Sequence, residues 1–193
     1  MAARILRENQ IDDVRIEPVA GSLSDHYDPS SKTLRLSESV YGSRSLSAAG
    51  VAAHEVGHAI QHADGYAPLG FRSAWVPVAS YGGRLSLIVI MLAFFLGGVQ
   101  TVAGTAAAWV GIGLMGTTTV FTLLTLPVEF DASRRAMKSL REGRILEGEE
   151  LSAARKVLTA AALTYVAAFV TSLLTLLYYA YRLGLIGGGQ RRD

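Results

Sequence analysis

The sequence predicts a mainly α integral membrane protein with about three transmembrane helices and a small N-terminal β-hairpin. Three observations carry that reading. No Lys, Arg, Asp or Glu occurs between Leu85 and Val128, and none occurs between Val157 and Tyr181. Hydrophobic residues make up 50% of the chain and charged ones only 18%, giving a mean hydropathy of +0.32. The net charge of +2 comes largely from Arg and Lys beside the apolar runs, so a nucleic-acid-binding reading has no support. At 193 residues the chain suits one domain of ordinary size. The absence of cysteine excludes disulfides and thiolate metal sites.

The elements follow in order. "MAARILRENQ" lacks the apolar centre of a cleavable signal and, with Ile11, reads as a short amphipathic helix. "DVRIEPV" reads as a strand. "DHYDPSSKTLRLSESVY" reads as a hairpin, with Asp28-Pro29-Ser30-Ser31 turning and Thr33 to Leu36 alternating in the strand manner. A helix rich in small residues comes next, capped by Ser45 or Ser47 and terminated by Gly65, too short to cross a bilayer.

Three apolar runs then succeed one another. Leu85–Val99 has only fifteen residues, about 22 Å of helix against a hydrocarbon core of about 30 Å. Extending it back through "SAWVPVASYGGR" gives a long helix that contains Pro77 and places Arg84 near the interface. Val102–Leu124 is long enough by itself, and its Gly and Ala suit close helix packing. Val157–Tyr181 ends in an aromatic cluster typical of an interface. The expected organisation is a single domain: 1–73 cytoplasmic, 74–128 two transmembrane helices, 129–156 cytoplasmic, 157–181 transmembrane and 182–193 a tail. Seven Lys or Arg between the second and third runs, and none between the first and second, put 130–156 and the small-residue helix on the cytoplasmic side of a cell membrane. The tail "RLGLIGGGQRRD" then lies outside with three arginines, against that trend.

The chemistry sits in "VAAHEVGHAIQHADG". His54-Glu55-Val56-Gly57-His58 is an HExxH pattern. One helical turn separates the two imidazoles, so both can meet one Zn²⁺, while Glu55 stands beside the metal as a general base for a zinc-activated water. With four His and nine Glu in the chain, a chance match comes to about 0.4% on independent placement, so a metal site is the stronger reading than histidines sharing a helix face. His62 lies two turns from His54, about 12 Å along the axis, too far to share one ion with both others. It reads as a packed polar residue or as a partner of a ligand. The third ligand must come from elsewhere. His26 is the only other histidine; among acids, Glu129 closely follows the second apolar run, although an acid at a helix start explains it equally well.

"AAHEVGHAIQHADGYAPL" followed by "LPVEFDASRRA" resembles the YugP-like "putative neutral zinc metallopeptidase" family of bacterial membranes, from about Ala3 to the third span. It is more distantly similar to the membrane metallopeptidases related to HtpX and the CAAX-prenyl protease, whose third zinc ligand is the Glu of an ExxAD pattern. The resemblance implies a zincin-like HExxH helix with one Zn²⁺ per chain on His54, His58 and Glu129. Ser133 stands where the wider group has Asp, and Asp131 is the nearby acid that could replace it in orienting a ligand histidine. The resemblance also implies that the strand in "KTLRLSESVY" offers an edge to an extended substrate, the alternative being an ordinary hairpin. Arg134 and Arg135 could stabilise an oxyanion or serve as topology signals. Proteins of this family usually begin with a further apolar segment, upstream of where this chain starts. The expected function is a membrane-embedded zinc endopeptidase hydrolysing protein or peptide substrates, with the lipid bilayer as its other partner. A non-catalytic, zinc-stabilised membrane scaffold is the alternative.

Overall fold

The computed structural model describes residues 1–187; the end of the tail, with Arg191 and Arg192, lies outside the described residues. The chain divides into two compact units. One joins Met1–Gly70 to Leu126–Tyr165, and the other joins Phe71–Thr125 to the chain from Val166 onward.

The first unit opens with α1 (Ala2–Glu8), which buries Ala2, Ile5 and Leu6. Three strands follow: β1 (Arg15–Val19), β2 (His26–Asp28) and β3 (Thr33–Ser37). The expected hairpin is the β2–β3 pair, antiparallel with Tyr27 opposite Leu34. Its turn is held by the Asp28 carboxylate, which accepts from the Ser30 N–H (2.9 Å) and from the hydroxyls of Ser30 (2.7 Å) and Ser31 (2.6 Å). These bonds hold the Asp28 carboxyl well below the usual carboxylate range.

β1 adds in parallel to the other side of β3, Arg15 opposite Thr33 through Val19 opposite Ser37, so the sheet order is β1-β3-β2. The strand in "KTLRLSESVY" is therefore central, with both edges filled, and its backbone is not available to a substrate. This corrects the edge-strand expectation: alternation reports which face is buried, not which edge is paired. β3 also ends earlier than the hairpin reading has it. The Asp25 carboxylate accepts from the Ser37 N–H (2.7 Å) and hydroxyl (2.9 Å), and the chain turns into the short helix α2 (Glu38–Tyr41).

α3 (Leu46–Ala63) starts where the Ser45 hydroxyl accepts from the Ala48 N–H at 3.2 Å, an N-cap. It ends before Gly65, whose φ of +64° lies in the left-handed region that glycine enters without strain. α1, β3 and α3 close over a core that includes Leu34, Val56, Leu140 and Leu158.

α4 (Ala67–Phe95) is one helix of 29 residues running through Pro77, about 43 Å long. The short first run is thus the apolar part of a longer helix, as the extended reading requires. A 3₁₀ turn at Gly98–Gln100 leads into α5 (Val102–Glu142), and α6 (Gly148–Arg182) follows. The basic stretch 129–156 is therefore not a free loop. Its first part prolongs α5, its last part begins α6, and only a short connection separates them.

In the second unit α4 and α5 approach closely at small residues: Gly82 lies against Thr117 and Gly111 against Ile90. The Trp75 indole N–H donates to the Thr117 carbonyl at 2.9 Å. All three long helices are long and apolar enough to cross a membrane. Much of their apolar surface faces outward, for example Phe95 at 84% and Val102 at 90% exposure. Such a surface suits hydrocarbon rather than water.

Candidate metal centre

α3 and α5 meet at a point without a side chain. A Cβ built on Gly57 would overlap the Ala132 carbonyl oxygen, so only glycine lets the two backbones come this close. His54 and His58 flank Gly57 on α3, and Glu129 and Ser133 flank Ala132 on α5. Backbone contact at one point therefore brings together side chains far apart in sequence.

His54 Nε2 lies 3.1 Å from Glu129 Oε2, and His58 Nε2 lies 3.5 Å from the same oxygen. One donor atom from each of the three residues falls within 4.8 Å of the others, a group that could hold a metal ion. Two donors at 2.0–2.2 Å from a tetrahedral zinc are about 3.3 Å apart, so the spacing needs little adjustment. All three residues are buried, Glu129 to 1% exposure.

The orientation of each imidazole is set from behind. Gln61, fully buried, donates its amide N–H groups to the Val128 carbonyl (2.8 Å) and to Asp131 Oδ2 (3.0 Å). Its Oε1 therefore faces His58 Nδ1 at 3.0 Å and can only accept. His58 must carry its proton on Nδ1, which aims Nε2 at Glu129. His54 Nδ1 lies 3.1 Å from the Ser133 hydroxyl, which can accept from it in the same way and leave Nε2 free for an ion.

Asp131 also takes ion pairs from Arg134 (2.9 Å) and Arg135 (2.6 Å), and Arg135 pairs again with Asp64. Burial disfavours a charged His58, yet the Glu129 carboxylate and the charge of Glu55 outweigh it and push its pKa above the ordinary histidine value. The same negative surroundings favour a bound cation.

Glu55 is half-buried and forms no hydrogen bond or ion pair among the described residues. His62 stands apart from the cluster: its Nδ1 lies 2.8 Å from the Tyr27 hydroxyl, with the rings 5.8 Å apart. Burial, with Asp13 and Asp28 nearby, pushes the Tyr27 pKa up to about 12. The phenol therefore stays protonated, within hydrogen-bond distance of the His62 ring. His26 is also remote, bonded through Nδ1 to the Ser24 carbonyl at 2.7 Å. The two arginines are engaged with carboxylates rather than aimed at the histidines. Gln61 escaped the sequence reading, although its spacing of three from His58 places it on the same helix face. Ser133 occupies the orienting position beside His54, whereas Asp131 reaches His58 only through Gln61.

The chain matches the family described as "Putative neutral zinc metallopeptidase" over residues 1–184. It is 43% identical over 178 residues to the "Putative membrane protease YugP" of Bacillus subtilis (strain 168), covering 92% of this chain and 76% of the relative. No solved structure matches it. Two histidines and a carboxylate, with orienting partners behind both imidazoles, fit the zinc that the family's description names. The chain belongs to the putative neutral zinc metallopeptidase family.

Proposed function

We propose that the protein is a membrane-embedded zinc endopeptidase with its active site on the cytoplasmic side, cutting membrane or membrane-proximal proteins. One Zn²⁺ per chain is held by His54, His58 and Glu129, and Glu55 is the general base. The observation that carries this reading is the convergence of three donors beside a carboxylate whose side chain makes no hydrogen bond or ion pair among the described residues. A structural zinc site normally closes with four protein ligands and has no use for a base. Here three donors converge and Glu55 stands next to one of them.

Bound zinc supplies Lewis acidity, polarising the scissile carbonyl and lowering the pKa of water to about 7. The chain supplies the rest. Glu55 takes a proton from the attacking water and hands it to the departing amine, so that neither charged hydroxide nor amide anion has to form free in solution. Gln61 and Ser133 hold the two imidazoles in the tautomer that presents Nε2. Arg134 and Arg135 act on Asp131 and so stiffen the Gln61 support. The basic flanks of the two spans support the cytoplasmic placement.

Glu55→Gln tests the mechanism. Zinc content and folding should stay near wild type while cleavage of an unfolded model protein falls by roughly 10²–10⁴-fold. A variant as active as the wild type, with zinc bound, would falsify the base assignment. If the variant and the wild type are both inert and His54→Ala unfolds the protein, the scaffold reading takes its place.

A further inference from the structure

A cleft of about 420 Å³ lies between α5 and α6 within the first unit. Its floor is apolar, made by Phe130 and Met137 of α5 and by Leu158 and Ala162 of α6. Its charged lining is mainly basic, with Arg134, Lys138 and Arg141 from one helix and Arg155 from the other against one acid, Glu142. Arg141 and Arg155 form no hydrogen bond or ion pair among the described residues, and both are exposed. These two guanidinium groups line one opening from two helices, where the carboxylate of the lining, Glu142, pairs with Lys138 at 4.0 Å instead.

The cleft also has a polarity. Phe130 closely follows the apolar run that ends at Val128, and Leu158 and Ala162 belong to the run that begins at Val157. The cations lie on the other side, Lys138 and Arg141 further along α5 and Arg155 just before the third run. Charge therefore sits at the polar end and apolar surface at the end nearest the spans. A soluble acidic peptide has no matching gradient. A lipid with an anionic head and acyl chains has one, and basic pockets between spans are a known way of taking such heads.

We propose that this cleft binds one anionic phospholipid of the phosphatidylglycerol class, its phosphate between Arg141 and Arg155 and the start of an acyl chain over Phe130 and Leu158. The inference rests on the membrane placement proposed above, but not on catalysis. It is tested on the full chain in detergent by lipid titration followed by native mass spectrometry. Wild type should retain one phosphatidylglycerol in preference to phosphatidylcholine of the same chain length. Arg141→Gln/Arg155→Gln should weaken that binding roughly tenfold or more, as two lost surface cations imply. A control, Arg7→Gln/Arg44→Gln, removes two exposed arginines outside the cleft and should bind as wild type. Equal retention of phosphatidylcholine, unchanged binding in the cleft variant, or equal loss in the control would each overturn the proposal. So would complete displacement of the lipid by millimolar inorganic phosphate, which would make the cleft an ion site with no acyl contact. Failure here with Glu55-dependent cleavage intact would leave the peptidase reading standing.

Discussion

The carboxylate of Glu129 and the amide of Gln61 contribute to one site in different ways, and substitution separates them. Glu129 is the only group from α5 whose atoms reach both histidines among the described residues. Glu129→Ala should remove most bound zinc, because two imidazoles alone make a weak chelate; elemental analysis of the purified protein reads this directly. Full zinc in that variant would move the third ligand elsewhere. Gln61 touches no ion, yet its loss frees the His58 ring to rotate or change tautomer. Gln61→Met keeps the volume and should weaken zinc affinity by about 10–100-fold, the usual effect of losing such a partner, measured by competition with a chromophoric chelator. An unchanged affinity would mean that packing alone orients His58. The Ser133 contact with His54 spans 79 positions and leaves no local trace in the sequence, whereas Gln61 lies three residues from His58 and only its bond to Asp131, 70 positions on, gives its amide a fixed direction. The HExxH pair could be assigned from sequence, because both histidines lie on one turn of one helix.

At the scale of elements, the site depends on how closely α3 and α5 approach. Gly57→Ala inserts a methyl where the Ala132 backbone already stands, and at least one helix must move. Overpacking of this kind costs about 1–3 kcal/mol. The expected outcome is a lower midpoint of thermal unfolding together with loss of zinc, since the displaced helix carries either both histidines or Glu129. A variant with wild-type zinc and stability would show that the helices can part without disturbing the ligands. Local signals marked the helices well. Capping residues put the start of α3 at Ser45 or Ser47, of which Ser45 is the cap, and its stop before Gly65, and the charge-free runs marked α4, α5 and α6. The sheet was less legible. Hairpin chemistry around Asp28 identifies β2 and β3, but a parallel partner separated from β3 by another strand leaves no local trace, so β1's place beside β3 is a product of tertiary packing.

For the whole molecule, the arrangement across a bilayer is open to a direct check, because the chain has no native cysteine. Cysteines placed singly at Gln100 and Ser152, both exposed, report opposite ends of the second and third spans. In intact cells an impermeant thiol reagent should label Gln100→Cys and spare Ser152→Cys; the reverse pattern would put the proposed catalytic residues outside the cytoplasm. One consequence of the Gly57–Ala132 contact reaches beyond the finished fold. His54 and Glu129 are 75 residues apart, and the apolar parts of α4 and α5 lie between them. During synthesis the histidine pair emerges first and waits, without its acid, while both of those segments are made and threaded. A chain that stalls or inserts the second segment backwards leaves the pair and the carboxylate on opposite sides of the lipid. On the function proposed above, a complete metal site thus arises only with correct insertion, which keeps an unfinished chain from cutting its neighbours in the membrane.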